Sequence, residues 1–208
     1  MIDDVLRTRR SVRRFKPECP PREALERLLE LAVTAPSASN RQPWRFLVVT
    51  DRRLLGAMAE AVRAQVEHLA RHVPPASEGA FRAYGAYFTR FEDAPAVIVP
   101  LCRASAILSN LVDGALDEGS RDRIAVMERT SAMVSTALAL ENLLLAAHDG
   151  GLGASAMTGP LIASDRLAAL LKVPAGWEFV ALVPVGYPDE APEPPGRKTV
   201  ENITRWYQ

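Results

Sequence analysis

The sequence predicts an α+β fold, a small and mainly antiparallel sheet with helices packed around it. Three observations carry that expectation. Helical and strand patterns are mixed along the chain rather than strictly alternating. Three short apolar runs, Arg45–Thr50, Ala96–Leu101 and Glu178–Gly186, read as strands. One long helical pattern, from about Arg121 to Ala147, is apolar on nearly every side over Ala132–Ala147, which marks a helix buried in a domain or a dimer interface.

At 208 residues and 48% apolar, the chain makes one domain with a sizeable core, residues 1–208. Lys plus Arg and Asp plus Glu each number 25. That balance speaks against a dedicated nucleic-acid or membrane-surface binder. Cys19 and Cys102 supply neither a disulfide framework nor a metal spacing, so a reducing, cytoplasmic setting is expected. The acidic start, Met1 to Asp4, lacks the apolar segment of a signal peptide. The longest apolar stretches are interrupted by Glu141 or Asn142, so no bilayer-spanning segment is expected.

Taken in order, Asp3 to about Arg10 reads as a short helix with acidic residues at its start. A dense run of cations follows: Arg7, Arg9, Arg10, Arg13, Arg14 and Lys16. It reads as a solvated basic patch, a nucleic-acid patch or a phosphate site. Interleaved aromatics, which nucleic acid would favour, are missing. Arg9-x-Ser11-x-Arg13 sets two guanidiniums and a hydroxyl close together where helix gives way to loop. Guanidiniums grip phosphate bidentately and a hydroxyl can donate to another oxygen.

Pro20-Pro21 opens an amphipathic helix whose Leu25, Leu28, Leu29 and Ala32 recur at helical spacing. It ends before Pro36. Ala35 to Phe46 then packs Ser37, Ser39, Asn40 and Gln42 between Pro36 and Pro43. Those prolines exclude a helix, and the density of hydrogen-bonding side chains suggests a ligand-contacting loop anchored on the strand at Arg45–Thr50. A connector without function is the alternative.

Asp51 to about Arg71 reads as helix. His68 and His72 stand four apart with no third ligand nearby, so exposed helix polarity is expected rather than zinc. Pro74-Pro75 breaks the pattern. Phe81, Tyr84, Phe88 and Phe91 share a helical face and suit core or dimer packing, while Tyr84 and Tyr87 could stack on an aromatic substrate. Residues 103–121 are irregular. Their Asp113, Asp117 and Glu118 lack a fixed partner for acid–base work, which favours an exposed loop.

Gly151-Leu152-Gly153-Ala154-Ser155-Ala156 matches a dinucleotide fingerprint. Its context is wrong: a long helix precedes it and Gly159-Pro160 follows at once. It reads better as a tight backbone entering a short strand, with N–H groups around Thr158 and Gly159 open to a ligand. Asp165 to Leu171 is a short helix. The proline-rich tail, 188–208, forms no core of its own and suits the surface of another subunit. In it, Arg197 and Lys198 form a charged pair. No nucleophile–base pair is visible anywhere.

Four pieces together resemble the FMN-dependent nitroreductase family, in family order and across nearly the whole chain. They are Arg9-Arg10-Ser11-Val12-Arg13-Arg14-Phe15; Ala35-Pro36-Ser37-x-x-Asn40-x-Gln42-Pro43-Trp44-x-Phe46; Gly151-x-Gly153 through Met157-Thr158-Gly159-Pro160; and Val185-Gly186-Tyr187-Pro188 with Arg197-Lys198. The resemblance implies a nitroreductase-like fold in an intertwined homodimer, with FMN at the interface. It implies that Arg9 and Ser11 reach the FMN phosphate and ribityl chain, with Arg10 beside them and Arg13 near the ring. Ser37, Ser39 and Asn40 would come from the opposite subunit, and Pro36, Ala38 and Gln42 would also contact the cofactor. The backbone of Met157, Thr158 and Gly159 would lie against the ring near N5, and Arg197 would meet the phosphate. Residues 103–121 would shape the substrate mouth, and Arg90 would approach the flavin. The implied activity is a two-step cycle, in which NAD(P)H reduces the flavin and a nitroaromatic, quinone or similar small acceptor is then reduced. Reductive dehalogenation, flavin fragmentation and a flavin-binding module without turnover are the alternatives.

Overall fold

The computed structural model describes residues 1–207. Twelve elements matter here: α1 (Ile2–Thr8), α2 (Arg22–Ala32), β1 (Trp44–Val49), α3 (Arg52–Ala70), α4 (Pro75–Gly85), β2 (Ala96–Cys102), α5 (Glu118–Asp149), β3 (Gly153–Ala154), α6 (Ser164–Leu171), β4 (Glu178–Phe179), β5 (Val183–Gly186) and α7 (Val200–Ile203).

The five strands form one sheet in the order β1-β2-β5-β3, with β4 also on β2. Every pairing between these strands is antiparallel, with Trp44 opposite Cys102, Ala96 opposite Val185 and Gly153 opposite Gly186. The β2 side chains alternate strictly between two cores, as a strand buried on both faces must. Ala96, Ile98 and Cys102 join Leu28, Leu143 and Ala147 under α2 and α5. Val97, Val99 and Leu101 join Leu55, Met58, Phe91 and Leu167 under α3 and α6. The α+β reading therefore holds.

Three expectations need correction. The run Glu178–Gly186 is not one strand but two, β4 and β5. The cause lies on β2. Pro100 O accepts the Val180 N–H at 2.9 Å, so the proline nitrogen faces the same neighbour and has no proton to offer. Leu182 turns away and exchanges two backbone bonds of 2.9 Å with Met157 instead. Second, Tyr84 does not share the packed face of Phe81, Phe88 and Phe91. Phe91 is fully buried, whereas Tyr84 is 67% exposed. The chain tightens to a 3-10 helix over Ala86–Asp93, and three residues per turn break the expected register.

Third, α5 begins at Glu118, ahead of Arg121, with the Asp117 carboxylate accepting the Ser120 N–H at 2.8 Å as its N-cap. Within the single chain its second half is buried on one side only. Val134 and Leu138 are exposed, as are Val126 and Met127 before them, because α2 and the sheet cover only one side. By length and composition alone α5 is apolar enough to cross a membrane, a test that a core helix also passes, and 44% of its most apolar stretch is buried inside this fold. The Pro36–Pro43 loop makes one tight turn at Ala38–Asn40, with left-handed backbone at Ser39 and Asn40, and forms no regular helix, as its prolines predict. In the tail, Val200, Ile203, Trp206 and Tyr207 are exposed.

Candidate functional site

Backbone pairing fixes the cation run on the sheet edge. Ser11 bridges Ala154 of β3 in parallel, and the Val12 N–H donates to Ala154 O at 3.1 Å. Val12 is buried at the pairing, while Arg9, Arg10 and Ser11 are half-buried and Arg13 is exposed. The Arg9 guanidinium lies 3.6 Å from Glu141 on α5. Arg10 Nη1 donates to the Arg7 and Arg9 carbonyls, both at 2.8 Å. Arg13 Nη1 donates to Ser11 O at 3.2 Å, which turns its head back toward the serine.

One residue organising this edge was not legible in the sequence. Glu190 accepts the Arg13 N–H at 2.5 Å, the Arg14 N–H at 3.1 Å and Arg14 Nε at 3.3 Å. Burial pushes its carboxyl up, but these donors and the Arg14 charge outweigh burial and hold it below the usual carboxylate range. Glu190 thus ties the start of the tail to the cation run.

The same edge leads straight on to the Met157–Gly159 turn, since Ala154 is Ser11's partner. Met157 is fixed by its two bonds to Leu182. Thr158 is exposed, and its N–H has no backbone acceptor among the described residues. Nearby, the Ser155 hydroxyl is buried without a partner. Gly159 is glycine for a reason the sequence did not reveal. A β-carbon there would meet Phe88 Cδ1 at 2.2 Å, so an aromatic ring of this chain already demands the space. Tyr84 packs edge-on to Phe88 with ring centroids 5.1 Å apart. Arg90 stacks on Tyr87 at 4.1 Å. Both tyrosines are exposed, and Tyr84 reaches the Gly159 turn through one intervening ring.

The Pro36–Gln42 loop is built under strain. Ser39, Asn40 and Gln42 have φ of 50°, 50° and 47°. Left-handed backbone is uncommon for residues other than glycine and gathers at functional sites. The loop's own side chains hold it: Ser37 Oγ accepts the Gln42 N–H at 3.0 Å, and Gln42 Nε2 donates to Asn40 Oδ1 at 3.3 Å. From α5, Ser135 Oγ accepts the Ala38 N–H at 3.3 Å. Pro36, Ala38, Ser39, Asn40 and Gln42 are exposed. Among the described residues no hydrogen bond or ion pair joins this loop to Arg9, Ser11 or Arg13. Arg197 is exposed in the tail and makes no ion pair among the described residues.

The His68 and His72 rings lie 5.4 Å apart, and the described residues hold no group of three metal-ligating side chains. Asp117 caps α5, and Asp113 accepts the Ala115 N–H at 2.8 Å.

FMN presents a phosphate, a polar chain and a flat ring with a hydrogen-bonding edge. Arg9, Ser11 and Arg13 suit the first two, and the open Thr158 N–H on the same sheet edge suits the third, so the residues present fit the group.

Fold and donors together define an α+β protein with cations and an open N–H on one sheet edge. The chain belongs to the nitroreductase family, whose model matches residues 6–187. It is similar to the NADH dehydrogenase of Thermus thermophilus, 31% identical over 215 residues, covering 95% of this chain and 92% of the relative. It is also similar to the 5,6-dimethylbenzimidazole synthase of Rhodospirillum rubrum, 32% identical over 190 residues, covering 91% and 82%. The crystal structure of oxidized iodotyrosine deiodinase bound to FMN and 3-iodo-L-tyrosine aligns over 100% of both chains, with a TM-score of 0.75 and 28% identity.

Proposed function

We propose that this protein is an FMN-dependent oxidoreductase that uses NADH or NADPH to reduce small nitroaromatic, quinone or similar electrophilic acceptors. The observation that carries this reading is the shared sheet edge of Arg9-x-Ser11-x-Arg13 and the Thr158 turn, brought together by the Ser11–Ala154 bridge. Bound there, FMN supplies two-electron chemistry between nicotinamide and acceptor. The protein's part is binding, orientation and field. Arg9 and Ser11 hold the phosphate and chain, with Arg10 at their side, and Arg197 of the tail adds a cation. Arg13 opposes the negative charge that reduction brings to the ring. The Met157–Gly159 backbone donates to the ring edge, and Tyr84 and Tyr87 offer faces for an aromatic acceptor.

The working form is a homodimer. The exposed α5 side chains Met127, Val134 and Leu138 line an open groove of about 490 Å³ together with Pro36, Ser37 and Ala38. A second copy covering that groove carries its Ser37–Gln42 loop toward the first copy's cation edge, and the apolar tail packs on the partner. The free thiols Cys19 and Cys102 suit a cytoplasmic setting.

Likeness to a deiodinase structure and to a benzimidazole synthase favours a second reading, another flavin reaction in the same site. Steady-state rates with nicotinamide and quinone varied together separate the two. Parallel double-reciprocal lines support the two-step oxidoreductase. Turnover of a halogenated phenol, with none of a quinone, contradicts it.

A further inference from the structure

Glu128 sits on α5 with 8% of its surface exposed, a place where a carboxylate needs partners. It has four. Oε1 accepts the consecutive N–H groups of Ile107, Leu108 and Ser109 at 2.6, 2.7 and 3.2 Å, and Oε2 accepts the Ser109 hydroxyl at 2.6 Å. The loop it holds belongs to neither core. Leu108 is 44% exposed and Leu111 77% exposed. Beyond Glu128, the loop is tied down by the Arg103 N–H on Pro43 O at 3.0 Å and by Arg121 on Gly114 O.

Seven residues along the same helix, about two turns, Ser135 takes the Ala38 N–H of the strained loop. The helix therefore carries one loop on each of two side chains, and a cavity of about 230 Å³ lies between them. Ser39 and Pro43 form one wall, Ile107 and Leu108 the other, with Met127 and Ala132 beneath. The Ser109 hydroxyl and the three amides hold the Glu128 carboxyl below its usual range against burial, so it is ionised and its bonds are charge-assisted.

We infer that Glu128 is a positioning residue for the acceptor: its four bonds hold Ile107 and Leu108 as the wall facing the Ser39–Pro43 turn. The inference rests on the oxidoreductase reading of the site and on its homodimer, in which this cavity faces the cation edge and tyrosines of the other copy. It deepens that reading by naming what sets the acceptor's fit. The acceptor class that suits this cavity is a small apolar ring, since the space is below the roughly 300–1,000 Å³ of drug-sized pockets.

The test compares Glu128→Ala, Glu128→Gln and Ser109→Ala with the wild-type FMN-loaded protein, using 1,4-benzoquinone as acceptor. Amide hydrogen exchange at residues 107–109 should rise about tenfold or more in Glu128→Ala. Its KM for the quinone should rise about tenfold while kcat changes by less than about twofold. Glu128→Gln keeps an acceptor oxygen in place and should recover most of both effects, with Ser109→Ala between. Wild-type exchange or wild-type KM in Glu128→Ala overturns the assignment. So does an equal fall in kcat and kcat/KM, which leaves KM unchanged and places the loss in the reaction step rather than in acceptor fit. A wild-type protein that binds FMN yet reduces no quinone instead contradicts the oxidoreductase reading, and the exchange rates then decide by themselves whether Glu128 holds the loop.

Discussion

The ring of Phe88 lies so close to Gly159 that a β-carbon there would stand 2.2 Å from its Cδ1 and 2.5 Å from its Cε1. This contact couples the aromatic 3-10 helix to the turn beside the cation edge. Gly159→Ala forces ring or turn to move, and overpacking of this kind costs about 1–3 kcal/mol. Urea unfolding should show that loss, and Phe88→Leu in the same chain should restore part of it. An unchanged midpoint in the single variant would contradict the contact.

The cation edge makes a separable prediction. A charge-assisted hydrogen bond is worth about 1.5–3 kcal/mol, so Arg9→Ala should weaken FMN binding by about 10- to 150-fold. Fluorescence titration of the apoprotein with FMN measures it. Arg13→Ala should act differently, making the bound flavin harder to reduce with a smaller change in affinity. Unchanged flavin kinetics and redox potential in that variant would remove Arg13 from the site.

The loop offers a trade between strain and binding. Ser39 holds φ at 50°, a conformation that glycine adopts without penalty. Ser39→Gly should be at least neutral and up to about 1 kcal/mol more stable. If the strained turn exists to meet the cofactor, the same variant binds FMN more weakly. Thermal unfolding of the apoprotein and FMN titration read the two effects apart.

Acid should loosen both anchored segments. Glu128 and Glu190 have carboxyls held below their ordinary range by donors that exist only in the fold. The unfolded chain therefore binds more protons than the native one in this window, and stability rises with pH there. Their contribution is complete above the ordinary glutamate value of about 4.3 and is lost as pH falls through the lower native values. Urea midpoints measured from pH 6 down to pH 3 should fall, and the Glu128→Gln, Glu190→Gln double variant should show a shallower fall. Equal slopes would contradict the proposed anchoring.

Local periodicity made much of this fold legible. The apolar spacing of α2, the Asp51 start of α3 and the runs forming β1 and β2 all lie where the pattern put them. The division between β4 and β5 was not legible, because its cause is the missing proton of Pro100 on a different strand. Tyr84 was misassigned because a change of helix type at Gly85–Ala86 cannot be read from apolar spacing alone. At the site, Pro36 and Pro43 announced a polar loop, but nothing in its residue types announced left-handed backbone at Ser39 and Gln42. Glu128 and Glu190 were invisible for a shared reason. Their partners are backbone N–H groups distant in sequence, and those carry no signature of their own.

Flavin reduction by nicotinamide is read directly in the visible absorption spectrum of the purified protein, loaded with FMN and titrated with NADH or NADPH without oxygen. The oxidoreductase account predicts oxidised flavin bands that bleach on addition of nucleotide and return when a quinone is added. Bands that persist with both nucleotides would contradict the proposed reductant, and a colourless protein that takes up no added FMN would contradict the flavin site itself.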